Sequence, residues 1–167
     1  MDKIMQFRGE YSFLSNFHPA PIAMQGVGYP TVEHAFQAAK TLNPELRAVF
    51  TACSPAVVKA KGRQLPLRAD WEQIKLDVML RMLRMKFRRG SELAARLLAT
   101  GDAELIEGNY WNDTYWGYSL QKGVGENHLG RLLMQVRSEL RVRAQREQVE
   151  HAYLELDRAK DAVDVPW

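Results

Sequence analysis

Residues 7–17 alternate aromatic and polar side chains and are closed by Pro19 and Pro21, a pattern that predicts short strand and loop. Residues 22–27 predict a second short strand, ending in a turn at Gly28-Tyr29-Pro30. Thr31 then stands where an N-cap belongs, and residues 32–41 have the spacing of a helix that stops near Asn43-Pro44. Helices follow over 44–51 and 55–62, the second with Ser54 as cap and proline in its first turn. The strongest core helix spans 70–87. Nine of the fourteen residues from Ile74 to Phe87 are apolar, with Arg81, Arg84 and Arg88 on the remaining face, which predicts burial on most sides. One more helix is predicted over 91–99, ended at Thr100-Gly101, while 104–107 fits either a strand or a helical turn. Over 127–140, Leu129, Leu132, Leu133, Val136 and Leu140 share one helical face. Beyond Arg141 the chain turns polar and holds too few apolar anchors to belong securely to the core.

A length of 167 residues with 46% hydrophobic and 26% charged residues is what one compact domain needs, not a disordered chain. Cys53 is the one cysteine, so no disulfide framework is available. With no run of 18 apolar residues and no signal-like N-terminus, the expectation is a soluble, cytoplasmic protein without a membrane partner. The formal charge of +3 conceals an asymmetry. Residues 59–96 carry 11 Lys/Arg against 4 Asp/Glu, a net +7, which leaves −4 for the rest.

Several reaction classes drop out. The chain holds no Walker A loop, Gly-x-Ser-x-Gly elbow or His-Glu-x-x-His pair, and Gly123-Val124-Gly125 lacks the third glycine of a dinucleotide fingerprint. His18, His34, His128 and His151 are dispersed, so no metal site is expected.

Three constellations remain. On the 32–41 helix, Val32, Ala35, Phe36 and Ala39 share one side while Glu33, Gln37 and Lys40 share the adjacent stripe. That stripe is either a solvated edge or a row of groups fit for proton transfer; Glu33-His34 in the first turn puts a carboxylate at the positive end of the helix. Next, residues 109–118 gather five of the chain's sixteen aromatic residues, interleaved with Asn109, Asn112 and Asp113. They form either an aromatic plug or a ligand-stacking loop, and aromatic faces beside a carboxylate suit both a nucleobase and a cationic ribosyl centre. Last, Lys122-Gly123-Val124-Gly125-Glu126-Asn127 feeds the final helix, with Asn127 as cap, and offers free N–H groups to an anion. The basic stretch Lys59 to Arg63 with Arg68 is a possible phosphate partner or an exposed helix end, and Trp71 is core or a stacking surface.

The ordered motifs Gly9-Glu-Tyr-Ser-Phe-Leu-Ser-Asn-Phe17, Pro30-Thr-Val-Glu-His-Ala-Phe-Gln-Ala-Ala-Lys40, Ala60-Lys-Gly-Arg63, Asp70-Trp-Glu72, Lys86-Phe87, Asn112-Asp-Thr-Tyr-Trp-Gly117 and Gly125-Glu-Asn-His-Leu-Gly130 resemble the NADAR family of YbiA-like N-glycosidases. The likeness spans residues 7–140. It implies an α+β fold: a single compact, mostly helical domain with a few short β-strands over 1–140. The polar residues 141–167, beyond the likeness, are read as a helical C-terminal tail. It also implies hydrolysis of the N-glycosidic bond between a phosphorylated ribose or ADP-ribose and a heterocyclic base, without a cofactor. Riboflavin-pathway intermediates and ADP-ribosylated guanine in nucleic acid are the substrates in view. By motif, Glu33 and Asp113 become acid/base and cation-stabilising carboxylates, and Lys40 a possible Schiff-base amine. Trp71 and Trp116 become pocket walls. Substrate contacts are carried over to Arg8, Gly9, Phe13, Asn16, Phe17, His34, Gln37, Asn112 and Gly117, with Gly125, Asn127 and Gly130 at phosphate. The competing classes are a non-catalytic nucleotide or nucleic-acid binding module and an interaction protein acting through its charged tail.

Overall fold

The computed structural model describes residues 2–161, and the last six residues of the tail, 162–167, lie outside the described residues. Its elements are β1 (Lys3–Ile4), β2 (Ile22–Met24), β3 (Val27–Tyr29), α1 (Val32–Ala39), α2 (Pro44–Ala48), α3 (Pro55–Arg63), α4 (Trp71–Lys86), α5 (Glu92–Ala99), β4 (Glu104–Leu105), β5 (Gly108–Asn109), β6 (Tyr118–Ser119) and α6 (His128–Asp161). The fold is the expected α+β class, mostly helical, and its strands form three two-stranded pairs among the described residues: β1 with β4, β2 with β3, and β5 with β6.

Two local expectations are corrected. Residues 9–14 form a 3-10 helix, not strand and loop. Gly9 enters it at φ +57, and Ser15 N–H bonds back to the Ser12 carbonyl, which turns Phe13 and Leu14 inward. The segment 22–29 is a whole hairpin. Gln25 and Gly26 both take positive φ, as a two-residue turn with primed geometry requires, so Tyr29 is a buried strand residue and not part of a turn. Residues 104–107 settle as β4, parallel to β1, plus a connection into β5.

The helices begin as their sequences dictate. Thr31 Oγ1 accepts from His34 N–H at the start of α1, Asn43 caps α2, and Ser91 Oγ accepts from Ala94 N–H on α5. Ser54 sits at the N-cap of α3 but makes no side-chain cap bond, leaving Pro55 in the first turn as the start signal. The core gathers Leu14, Ile22, Val32, Phe50, Met79, Leu83, Phe87, Leu97, Leu105 and Leu133, with α4 packed between α1 and the first half of α6. Helix α6 does not stop at Leu140; it continues unbroken to Asp161. No helix among the described residues is long and apolar enough to cross a membrane.

Candidate active site

Helix α1 is the buried spine of the site, and every residue from Val32 to Ala39 is buried, polar ones included. Buried polar groups need partners. His34 finds two: its Nε2 donates to the Cys53 carbonyl at 2.9 Å and its Nδ1 pairs with Thr31 Oγ1 at 2.7 Å. Those bonds staple α1 to the segment before α3, so His34 is a structural histidine facing away from the cavity. On the other stripe Gln37 Nε2 donates to Glu33 Oε1 at 2.8 Å and so holds the carboxyl. Gln37 lies against Gly62 of α3, where any β-carbon would collide with its amide.

Glu33, Gln37 and Lys40 open into a cavity of about 470 Å³ between α1, α3, α4 and the aromatic loop. Asn16 and Phe17 line it from the segment after the 3-10 helix, Arg8 from before it, and Trp71, Asp113 and Trp116 complete the expected residues that meet there. Phe36 sits between the two tryptophans, 5.0 Å from the Trp71 ring and 5.2 Å from Trp116, so the three rings form a continuous wall. The exposed ring of Trp111 stands at the mouth, with the Lys59 ammonium lying over both Trp111 and Phe17.

Asp113 is pinned by a residue that sequence reasoning left without a role. Asn109, fully buried, donates to the Asp113 carbonyl at 2.8 Å and accepts from the Asp113 N–H at 3.0 Å. Asp113 Oδ1 in turn accepts from Trp116 N–H at 2.9 Å, which fixes the carboxyl beside the indole wall.

A third carboxyl joins these two. Glu107, on the connection between β4 and β5, lines the cavity, and its Oε2 is buried without a hydrogen-bond partner. Burial pushes its pKa up to about 7, helped by Asp113 and Glu33, while Lys59 and Arg8 pull it down. Lys40 moves the other way. Burial lowers its amine from the ordinary lysine value; Glu33 opposes that shift, and Lys59 and Arg63 add to it. Five cations, Arg8, Lys40, Lys59, Arg63 and Lys75, thus share the cavity with three carboxyls. Lys59 and Arg63 lie four apart on α3 and present one face to it. Arg68 is instead ion-paired to Asp70 at 2.6 Å.

Several expected contacts fall elsewhere. Phe13 is core, edge-on to Phe87 at 6.4 Å. Gly9 begins the 3-10 helix, and Asn112 takes φ +61 and accepts from Ser119 Oγ, outside the cavity lining. Gly117, Gly125, Asn127 and Gly130 do not line the cavity either. A β-carbon on Gly117 would meet the Glu107 carbonyl, one on Gly125 the Gly117 carbonyl, and one on Gly130 the Leu105 carbonyl. Asn127 stands at the cap position of α6, where its carbonyl accepts from Arg131 N–H, but its side chain makes no cap bond: its Nδ2 donates to the Leu105 carbonyl at 2.9 Å and its Oδ1 accepts from Glu107 N–H at 3.0 Å. The turn that looked like an anion cradle is spent on backbone packing, and through Asn127 it positions Glu107. No three His, Cys, Asp or Glu side chains among the described residues are grouped so that they could hold one metal ion.

A family model, the NADAR domain, matches residues 5–141. The chain belongs to the NADAR family. Among its relatives, N-glycosidase YbiA of Escherichia coli (strain K12) is 43% identical over 136 residues, covering 80% of this chain and 84% of that protein. A riboflavin biosynthesis protein of Vibrio vulnificus is 36% identical over 159 residues, 93% of this chain but 41% of the longer relative. The NMR structure of E. coli YbiA superposes with a TM-score of 0.75 at 41% identity, covering 87% of this chain and 89% of that one. The NADAR match ends at residue 141, so the cavity described above lies wholly within it, and the outer part of α6 lies beyond.

Proposed function

We propose that this chain is an N-glycosidase that cleaves the bond between a phosphorylated ribose, free or within ADP-ribose, and a heterocyclic base. One observation carries the reading: Glu33, Glu107 and Asp113 converge on a single cavity walled by Phe36, Trp71 and Trp116 and edged by five basic side chains. The rings take the flat base, the cations take phosphate, and the carboxyls do the chemistry.

Breaking the ribosyl C–N bond sends its electron pair to the base nitrogen and leaves positive charge on the anomeric carbon. Glu107, held near neutrality by burial, retains a proton that it can give to the departing nitrogen. Glu33, oriented by Gln37, and Asp113, oriented by Asn109 and Trp116, face the developing cation and take the proton of the attacking water. Water oxygen bonds to the anomeric carbon, and the products are free base and free sugar.

A second reading has one observation in its favour, the lowered pKa of Lys40 beside Glu33. An unprotonated amine could trap the anomeric carbon as a Schiff base with the ring-opened sugar, releasing the base first and the sugar on hydrolysis. Borohydride added during turnover distinguishes the two, since a protein–ribose adduct at Lys40 forms only by the lysine route.

The test of the function itself is a substrate panel of ribosylaminopyrimidine phosphates, ADP-ribosylated guanine in DNA, and NAD, with chromatographic detection of freed base. Release from at least one supports the assignment. Salt-dependent binding to all of them with no base released would replace it with a binding module. The relatives named for riboflavin biosynthesis make the pyrimidine arm the first to run.

A further inference from the structure

Past residue 141, where the family match stops, α6 runs on to Asp161 and its exposed side changes character. Leu129, Leu133, Val136 and Leu140 anchor its first half in the core. Ion pairs from Arg141 to Asp102 and from Glu147 to Arg89 keep that same side of the helix on the body. At about 100° per residue, Val142, Val149, Tyr153 and Leu156 fall on one narrow stripe roughly half a turn away. All four are exposed, and a shallow groove with Arg146 and Glu150 on its edge runs alongside. Steps of seven from Val142 to Val149 to Leu156, with Tyr153 between, make the spacing of a helix-pairing seam.

The charges beside this stripe are divided along the helix. Among the side chains lining the groove, Arg146 stands nearer its beginning and Glu150 and Asp157 further on, while Arg141 and Glu147 are ion-paired to the body. A second helix laid parallel would set Arg146 on Arg146 and Glu150 on Glu150. Laid antiparallel about Val149, Arg146 of each copy comes beside Glu150 of the other. The apolar positions Val142 and Leu156 are equally far from Val149, so a twofold axis through Val149 sets each on the other and Val149 on itself, with Tyr153 meeting Gln145, as a closed symmetric dimer allows.

We propose that the outer half of α6 docks antiparallel on α6 of a second copy of this chain, centred on Val149. The seam from Val142 to Leu156 is about 21 Å long at the α-helical rise, four turns of contact per copy. It is separate from the cavity, so association leaves the cavity open.

The test uses the full chain. Sedimentation velocity across micromolar concentrations should show a monomer–dimer equilibrium, and Val149→Glu should raise its dissociation constant by about tenfold or more. Circular dichroism of that variant should match the parent, because Val149 is exposed on the single copy and is no part of its core. Orientation is read separately in a Cys53→Ser background, by mixing Val142→Cys with Leu156→Cys and oxidising. A mixed disulfide in excess over either homodisulfide is expected. A chain that stays monomeric at every concentration, a dimer indifferent to Val149→Glu, or homodisulfides in excess would each overturn the proposal.

Discussion

The Gly62 face of α3 and the turn from Gly125 to Gly130 both set glycine beside a polar segment, and both occur in the motifs that mark the family. In the first, the missing side chain makes room for the Gln37 amide, which reaches across to hold Glu33 at the cavity. In the second, the space is taken by main chain: the Gly117 and Leu105 carbonyls lie where β-carbons would be. The physical need is the same, close approach, but Gly62 admits a side chain alone, while Gly125 and Gly130 admit neighbouring backbone carbonyls, with the Asn127 amide also against Gly130. A glycine-rich turn before a helix is therefore not an anion site until its N–H groups are shown to be unspent. Here Asn127 N–H bonds to the Gly117 carbonyl and Leu129 N–H to the Trp116 carbonyl.

That contrast can be broken most sharply at the carboxyls. Glu33→Gln and Asp113→Asn should each lower kcat by about a thousandfold with little change in melting temperature, since the amide keeps an oxygen for Gln37 or Trp116 N–H. Wild-type turnover in either variant removes that residue from the chemistry. Next in size, Glu107→Gln should cost about a hundredfold in kcat/KM. In the parent, activity should fall as pH rises through about 7, because the proton to be donated is lost there. If the variant keeps that alkaline limb, Glu107 is not its source.

The same carboxyl has a stability consequence whose sign follows from its raised pKa. Glu107 binds its proton more tightly in the folded state, so its favourable contribution is complete below its ordinary 4.5 and disappears as pH rises to about 7. Urea titrations should show the parent losing stability across that window and Glu107→Gln losing less.

The two glycine regions separate at the next scale. Gly62→Ala should displace Gln37 and reduce kcat about tenfold or more with KM nearly unchanged, because only the orientation of Glu33 suffers. Gly130→Ala should instead cost about 1–3 kcal/mol of stability by overpacking against main chain, with KM for phosphorylated substrate unaltered in the protein that remains folded. A raised KM at unchanged stability would restore the turn as a phosphate site. Smallest is Lys59→Ala, expected to raise KM about fivefold at low salt, and less at high salt where screening already weakens the pairing.

Much of this protein was legible without coordinates. The helical spans, the cap at Thr31, and the shared stripe of Glu33, Gln37 and Lys40 follow from local periodicity and first-turn chemistry, which need no distant partner. The 3-10 helix over residues 9–14 and the hairpin at Gln25-Gly26 were not legible, because both depend on backbone φ values that an aromatic–polar alternation or a short apolar run does not encode. Asn109 and Glu107 were missed for a different reason. An asparagine in a polar loop and a glutamate at a strand end are among the least informative residues in any sequence, and their importance comes from burial. Asn109 is fully enclosed and must bond to the loop around it, while Glu107 is held by Asn127, twenty residues on, with one oxygen left unpartnered.

What the sequence determined by itself is therefore the local framework: where helices start and stop, which faces are apolar, and that the middle of the chain is basic. Tertiary structure decided which polar groups lost water. Desolvation is a property of packing between distant segments, so no window of sequence contains it. It turns the α1 stripe, Glu107 and Asp113 into a site and the Gly125–Gly130 turn into a seam of backbone.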